Sequence, residues 1–348
     1  MRDELRNPNE DREPVGPGEL RRELVEEPRG AHQPSGEFIP EFPSAPPAGE
    51  SAGGEERASR TLWGDTWYRL RRNRLALVAL AWILIVALAA VTADAWVPRF
   101  FGSPTVINTD TMMTQRLLPP SAKHPMGTDD LGLDVFSRVV YGARVSLTVG
   151  VLAVAISVAI GLALGAFAGY YGRWLDAVIM RLTDIFLAFP YILFCILVLS
   201  ILPLSYRGVT PVILVIGLLG WTSFARVFRS SIFTVKENEY VDAARALGAS
   251  DLRIMVRHIM PNAIAPIVVY ATISVGGAIL TEAALSFLGL GVPVITPSWG
   301  GMIAAGQDYL TSNPGLVFWP GLAIVSTVVA FTLLGDGVRD ALDVKMTE

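Results

Sequence analysis

Asp129, Asp130 and Asp134 follow His124 within one short stretch, a set of oxygen and nitrogen donors of the kind that can hold a divalent metal. Carboxylates in a solvated loop more often serve as turn and helix-cap residues, and that is the expectation here, with no metal. Glu282 is the one carboxylate set well inside a long apolar run. An ionisable group at such depth is costly and by default faces a partner, a gate or a translocation path; a structural hydrogen bond to a neighbouring helix is the alternative. Histidine chemistry has three candidates, His32, His124 and His258, and Cys195 is the single cysteine. No two histidines share a helical face, and the sequence contains no G-x-x-x-x-G-K-[ST] loop, G-x-S-x-G elbow or C-x-x-C pair. Residue patterns that grip nucleotide phosphates, build an acyl-transfer nucleophile or hold a thiolate-bound metal are missing. The chain is therefore read as non-enzymatic, with no cofactor of its own.

The most organised polar stretch is EYVDAARALGASDLRIMVRHIMPN, residues 239–262. Glu239, Asp242, Ala243 and Ala244 belong to a short helix, and Gly248 suits a left-handed turn that ends it. Ser250 and Asp251 are placed to cap a second helix, with Pro261 expected to stop it. This polar island lies between two long apolar runs, so it is the part of the chain best suited to meet a partner.

The elements that must position these residues follow from hydropathy. The chain is 52% hydrophobic with a mean hydropathy of +0.46 over 348 residues, too apolar for a soluble globular protein of this length. A spanning helix needs roughly 20 mainly apolar residues, and six stretches qualify: 75–97, 146–169, 184–204, 209–228, 263–290 and 316–337. Gly150, Gly161, Gly165 and Gly169 stripe the second stretch and predict close helix packing. Residues 1–60 are rich in Pro, Gly, Glu and Arg and are expected to be a disordered cytoplasmic tail. No cleavable signal peptide is visible, so the first span is expected to act as an uncleaved anchor. Residues 61–74 read as a basic interfacial segment, with Trp63, Trp67 and Tyr68 beside Arg69, Arg71, Arg72 and Arg74. These arginines, with Arg229, Lys236, Arg245, Arg253 and Arg257, predict a multi-pass cell-membrane protein whose two termini and 239–262 loop face the cytoplasm. Residues 98–145 then lie outside despite their own basic residues. Asp94, Asp184 and Asp336 are expected at wet helix ends, and residues 301–307 and 313–315 in a last outer loop. Tyr170, Tyr171, Gly172, Asp176 and Arg181 form an inner loop within reach of the polar island. The charge pattern gives no sign of nucleic acid.

Three blocks of residues resemble a known family. Asp242-Ala243-Ala244, then Gly248, then His258-Ile259-Met260-Pro261 resembles the coupling loop of ABC importer membrane subunits, EAA-x3-G-x9-I-x-L-P. Asp242 stands for Glu, His258 for Ile and Met260 for Leu. Residues 124–147 are similar to the segment before the second helix of dipeptide and oligopeptide permeases of the DppC/OppC kind. Asp129, Asp134, Arg138 and Arg144 match there, and Leu133 stands where the pattern has Arg. Residues 282–300 look like the same family's E-x-A-L-S-F-L-G-L-G…P-S-W-G. The resemblance runs from about residue 61 to the C-terminus. It implies an all-α, six-span type I ABC importer permease in the lipid bilayer, with residues 146–348 as the permease domain and a coupling loop at about 236–262. It further implies a homologous permease partner, two ABC ATPase subunits or domains that bind the ATP, and an extracytoplasmic binding protein delivering di- or oligopeptides. The alternatives are the same architecture carrying nickel or another small solute, and a membrane interaction protein that transports nothing.

Overall fold

The computed structural model describes residues 62–107, 109–293 and 295–343; the expectation of a disordered tail over 1–60, and His32 with it, lies outside them. The described residues are almost entirely helical. In chain order they form α1 (Leu62–Leu70), α2 (Arg74–Phe101), α3 (Thr109–Gln115), α4 (Val135–Tyr171), α5 (Arg173–Ala188), α6 (Tyr191–Ile201), α7 (Val209–Lys236), α8 (Glu239–Ala246), α9 (Asp251–Ile254), α10 (Met260–Ala263), α11 (Ala265–Phe287), α12 (Trp299–Gly306) and α13 (Gly315–Leu342). Five of them, α2, α4, α7, α11 and α13, are long and apolar enough to cross a membrane.

The third expected span, 184–204, is not one straight helix. α5 and α6 meet at an 82° bend, and Asp184 lies inside α5 rather than at a helix end. Pro190 explains the break. Its ring disfavours helical dihedrals at the preceding residue, and Phe189 is extended at φ −93°, ψ 137°.

Local chemistry sets the other helix starts. The Asn73 side chain accepts from the Ala76 N–H at 3.2 Å and begins α2. The Asp134 carboxylate accepts from the Ser137 N–H at 2.7 Å and begins α4, so that helix starts at Val135 rather than near 146. Arg138 and Arg144 are helix residues in consequence.

α4 is the centre of the bundle. Gly161, Gly165 and Gly169 lie against Phe224, Ala225, Phe228 and Ile232 of α7, so close that a Cβ on Gly165 would stand 2.6 Å from the Ala225 carbonyl oxygen. Gly150 meets Val275 and Ile279 of α11 in the same way. In lipid no hydrophobic effect drives helices together, and such close approach maximises dispersion contact instead. The expected packing role of these glycines is thus seen directly. α1 is a separate short helix, with the Arg71 guanidinium 5.0 Å from the Trp67 ring and that of Arg72 5.2 Å from Tyr68. One face of α2, with Leu75, Val78, Ile85, Leu88 and Val91, stays exposed, as a lipid-facing stripe would.

Candidate functional site

The polar island forms two short helices joined by a tight turn. α8 begins after an extended Asn238 and carries Glu239 and Asp242 in its first turn, where carboxylates complement the helix dipole. Asp242 is exposed and pairs with Arg245 at 2.7 Å, a contact of small energetic weight. The helix ends at Gly248, whose φ is +79°. The Gly248 N–H bonds the Arg245 carbonyl at 3.0 Å and the Ala249 N–H bonds that of Ala244 at 3.1 Å. This pairing is a Schellman turn, and it requires the left-handed conformation that glycine adopts without strain. Ala243 is exposed, and its carbonyl accepts from Leu247 at 3.0 Å. The turn expected at Gly248 is therefore present.

The second helix departs from expectation. Ser250 holds the N-cap position of α9 without a side-chain bond, and Pro261 does not stop the helix. The chain widens into a π turn over Met255–Ile259, where the Met260 N–H reaches back to the Met255 carbonyl. Pro261 then sits at the start of α10, where its missing N–H costs little. His258 lies half-buried in the π turn, and its carbonyl accepts from the Asn262 side chain at 2.7 Å.

One side of this unit is anchored and the other is free. Val241, Ile254 and Ile259 are fully buried in the main core, while Leu247 is 89% exposed and Leu252 65% exposed. Two large apolar side chains are thus left outward beside the tight turn. The residues expected in an inner loop are helical apart from Gly172, and Tyr170 and Asp176 among them bond to the unit and to α7. The Tyr170 hydroxyl donates to Asp251 at 2.7 Å, Lys236 donates to the Tyr170 carbonyl, and Arg229 is paired with Asp176.

At the opposite end of the bundle, the acidic stretch is folded rather than solvated. Asp134 is 3% exposed; besides capping α4 it accepts from the Ser137 hydroxyl at 2.9 Å and lies 3.0 Å from His124 Nδ1. One Asp129 oxygen accepts the N–H groups of Leu131 and Leu133 at 3.0 and 2.8 Å, and the other lies 3.4 Å from Arg138 Nε. Burial pushes the Asp129 carboxyl above the usual carboxylate range, and Arg138 and the two N–H groups pull it back. Every oxygen of Asp129 and Asp134 thus has a protein partner, which fits turn and cap chemistry. Arg144 donates to the Ala90 carbonyl at 2.9 Å and to Asp94 at 3.1 Å, and Asp94 also accepts from the Tyr141 hydroxyl at 2.7 Å. Asp94 is exposed, yet it ties α2 to α4, a role that no local spacing announced.

Glu282 is completely buried. It accepts from Ser146 of α4 at 2.9 Å and from Ser286 of its own helix at 2.7 Å, an interhelical tie. Residues 299–306, expected in part as a loop, form α12, with Ser298 as N-cap and Trp299, Gly300, Met302 and Gly306 buried. The Trp299 indole donates to the Val139 carbonyl at 2.9 Å. The sequence placed this stretch in a loop because a helix of 8 residues, though apolar, is far too short to be read as a membrane span.

The family model for binding-protein-dependent transport system inner membrane components matches residues 161–348, and that for the N-terminal TM domain of oligopeptide transport permease C matches 61–120. The chain belongs to this permease family. The dipeptide transport system permease protein DppC of Alkalihalophilus pseudofirmus is 41% identical to the permease, over 82% of this chain and 90% of the relative. The oligopeptide transport system permease protein OppC of Bacillus subtilis is 39% identical, over 86% and 96%. A glutathione transport system permease protein, GsiD of Escherichia coli, is 40% identical over 82% and 92%. Among solved structures, an inward-facing form of the MetNI methionine ABC transporter aligns with a TM-score of 0.50 at 18% identity, covering 59% of this permease and 96% of that chain. The permease thus has the helical type I ABC importer fold, and its curated relatives are permease proteins of transport systems.

Proposed function

We propose that this chain is the non-catalytic, membrane-spanning subunit of an ATP-driven importer of di- or oligopeptides. An extracytoplasmic binding protein delivers the cargo, a homologous permease completes the pathway, and two ABC ATPases drive the cycle through the unit from Asp242 to Pro261. The observation that carries this reading is that unit's two-sidedness, with Val241, Ile254 and Ile259 locked into the bundle and Leu247 and Leu252 offered outward on either side of Gly248. A rigid element anchored on one face and docked on the other can pass a partner's movement into the helices. The partner biases the permease only through its different affinity for the inward-open and outward-open states. Cytoplasmic placement of both termini and of α8 and α9 is supported by the arginines of residues 69–74 and 245–257. Peptide cargo is supported by the named transport systems of the relatives.

Gly248→Trp tests the reading. A Cβ at Gly248 meets nothing within 4 Å among the described residues, so the indole strains the turn locally and projects toward the partner. The variant should insert into the membrane while losing co-purification of the ATPases and uptake of labelled dipeptide. Wild-type uptake by Gly248→Trp would sink the coupling assignment. Loss of nickel uptake alone, in cells lacking the chain, would keep the architecture and change the cargo.

A further inference from the structure

A cavity of about 430 Å³ lies at the end of the bundle away from α8 and α9, between the start of α4, the turn after α11, and α12. That volume suits a small solute or a residue or two of a peptide. Val292, Pro293, Met302 and Ala305 make its walls largely apolar, and two guanidiniums, Arg138 and Arg207, stand among them. The two are not equivalent. Arg138 is 4% exposed and its charge is offset by Asp129, 3.4 Å away. Arg207 spends Nη1 on the Gly289 carbonyl at 2.9 Å, while its Nε is buried with no hydrogen-bond partner among the described residues. It takes part in none of the ion pairs among the described residues.

A guanidinium that lines a cavity with no carboxylate against it among the described residues offers charge-assisted donors to the oxygens of an entering carboxylate. The serines on the wall are already engaged: Ser286 donates to Glu282, and Ser298 accepts from the Gly301 N–H. We propose that this cavity is a carboxylate subsite in which Arg207 receives the C-terminal carboxylate of an imported peptide, whose last side chain rests on the apolar wall. A monoanion fits better than a phosphate dianion, because of the two cations Arg207 alone lacks a carboxylate partner among the described residues and the Asp129 carboxylate behind Arg138 repels further charge. The proposal rests on the peptide-import reading above and adds to it the group that is recognised.

The test uses the transporter assembled with its partner chains in nanodiscs, without binding protein, titrated with radiolabelled alanyl-phenylalanine and with its C-terminal amide. The free acid should bind about tenfold more tightly than the amide, the ratio expected of one charge-assisted contact. Arg207→Gln should bring the ratio to about one with amide affinity unchanged, which reports an intact fold, and Arg207→Lys should keep part of the preference. An unchanged ratio in Arg207→Gln overturns the subsite. So does an unchanged ratio accompanied by weaker capture of the binding protein, since the cavity would then receive a partner's side chain. Benzoate separates the two readings: if benzoate binds and Arg207→Gln abolishes that binding in a transporter that imports no peptide, the carboxylate subsite stands and the peptide reading falls.

Discussion

The hydroxyl of Tyr170, at the end of α4, donates a hydrogen bond of 2.7 Å to Asp251, the first residue of α9. This bond joins the longest helix of the bundle to the second half of the unit proposed to meet the ATPase. Tyr170 itself is 5% exposed, and the Lys236 ammonium lies 5.3 Å from its ring. The phenol is therefore fixed on the bundle side and bonded to the α8–α9 unit, as a strut between them would be.

Tyr170→Phe removes the strut and little else. One hydrogen bond to an exposed carboxylate is worth at most about 1 kcal/mol, so yield and thermal stability should stay near wild type. In proteoliposomes the peptide imported per ATP hydrolysed should fall severalfold while ATP hydrolysis continues. An unchanged ratio would mean that movement reaches the bundle by another route, such as the apolar anchors Val241 and Ile259.

Close packing between α4 and α7 makes Gly165 intolerant of bulk. A Cβ there lies 2.6 Å from the Ala225 carbonyl oxygen and 3.1 Å from the Phe228 Cβ, and backbone on the facing helix yields less readily than a flexible side chain. Gly165→Val should destabilise the permease by at least the roughly 1–3 kcal/mol of ordinary overpacking. Gly277→Ala, at a helical position where a Cβ meets nothing within 4 Å, should be neutral. Detergent thermal denaturation of the two variants side by side decides the matter, and equal midpoints would contradict the packing argument.

Asp134 combines a helix cap with a buried network. Asp134→Ala strands the Ser137 N–H, the Ser137 hydroxyl and His124 Nδ1 at once. Loss of an N-cap alone costs about 1 kcal/mol, and the buried donors add to that. Asp134→Asn, which keeps an acceptor for the Ser137 N–H, should recover part of the loss. The readout is protease sensitivity of residues 124–137 in the folded permease, raised most in the alanine variant.

Which of these features the sequence announces depends on whether a local rule governs them. The turn at Gly248 was legible because a Schellman motif needs a left-handed residue at one position, and glycine after an Ala-rich helix marks it. The apolar spans were legible because lipid imposes a length and a composition. Pro190 was in plain view, yet apolarity summed over a window is blind to a bend, so the end of α5 and all of α6 were read as one span, 184–204, and the start of α5 as a loop. The start of α4 was placed late because Arg138 and Arg144 depress local hydropathy, although both are neutralised through Asp129 and Asp94. Those pairings could not be read at all. Tyr170 and Asp251 are 81 positions apart and Arg144 and Asp94 are 50 apart, and no periodicity links them.

Glu282 supplies the last prediction, and it separates a structural carboxyl from one that lines a pathway. The side chain is completely buried, and its two oxygens accept from Ser146 on α4 and Ser286 on α11. A group held for structure needs acceptors in those places more than it needs charge. Glu282→Gln keeps one oxygen acceptor and the same volume, and should retain most uptake and stability. Glu282→Leu leaves the hydroxyls of Ser146, Ser286 and Ser298 without that acceptor and should lose roughly 1–3 kcal/mol per donor that finds no substitute, read as a lower denaturation midpoint with proportionate loss of transport. A pathway carboxylate behaves the other way: the glutamine variant would fold like wild type and transport nothing. That result, together with a stable Glu282→Leu protein, would move Glu282 from the tie between α4 and α11 to the route of the cargo.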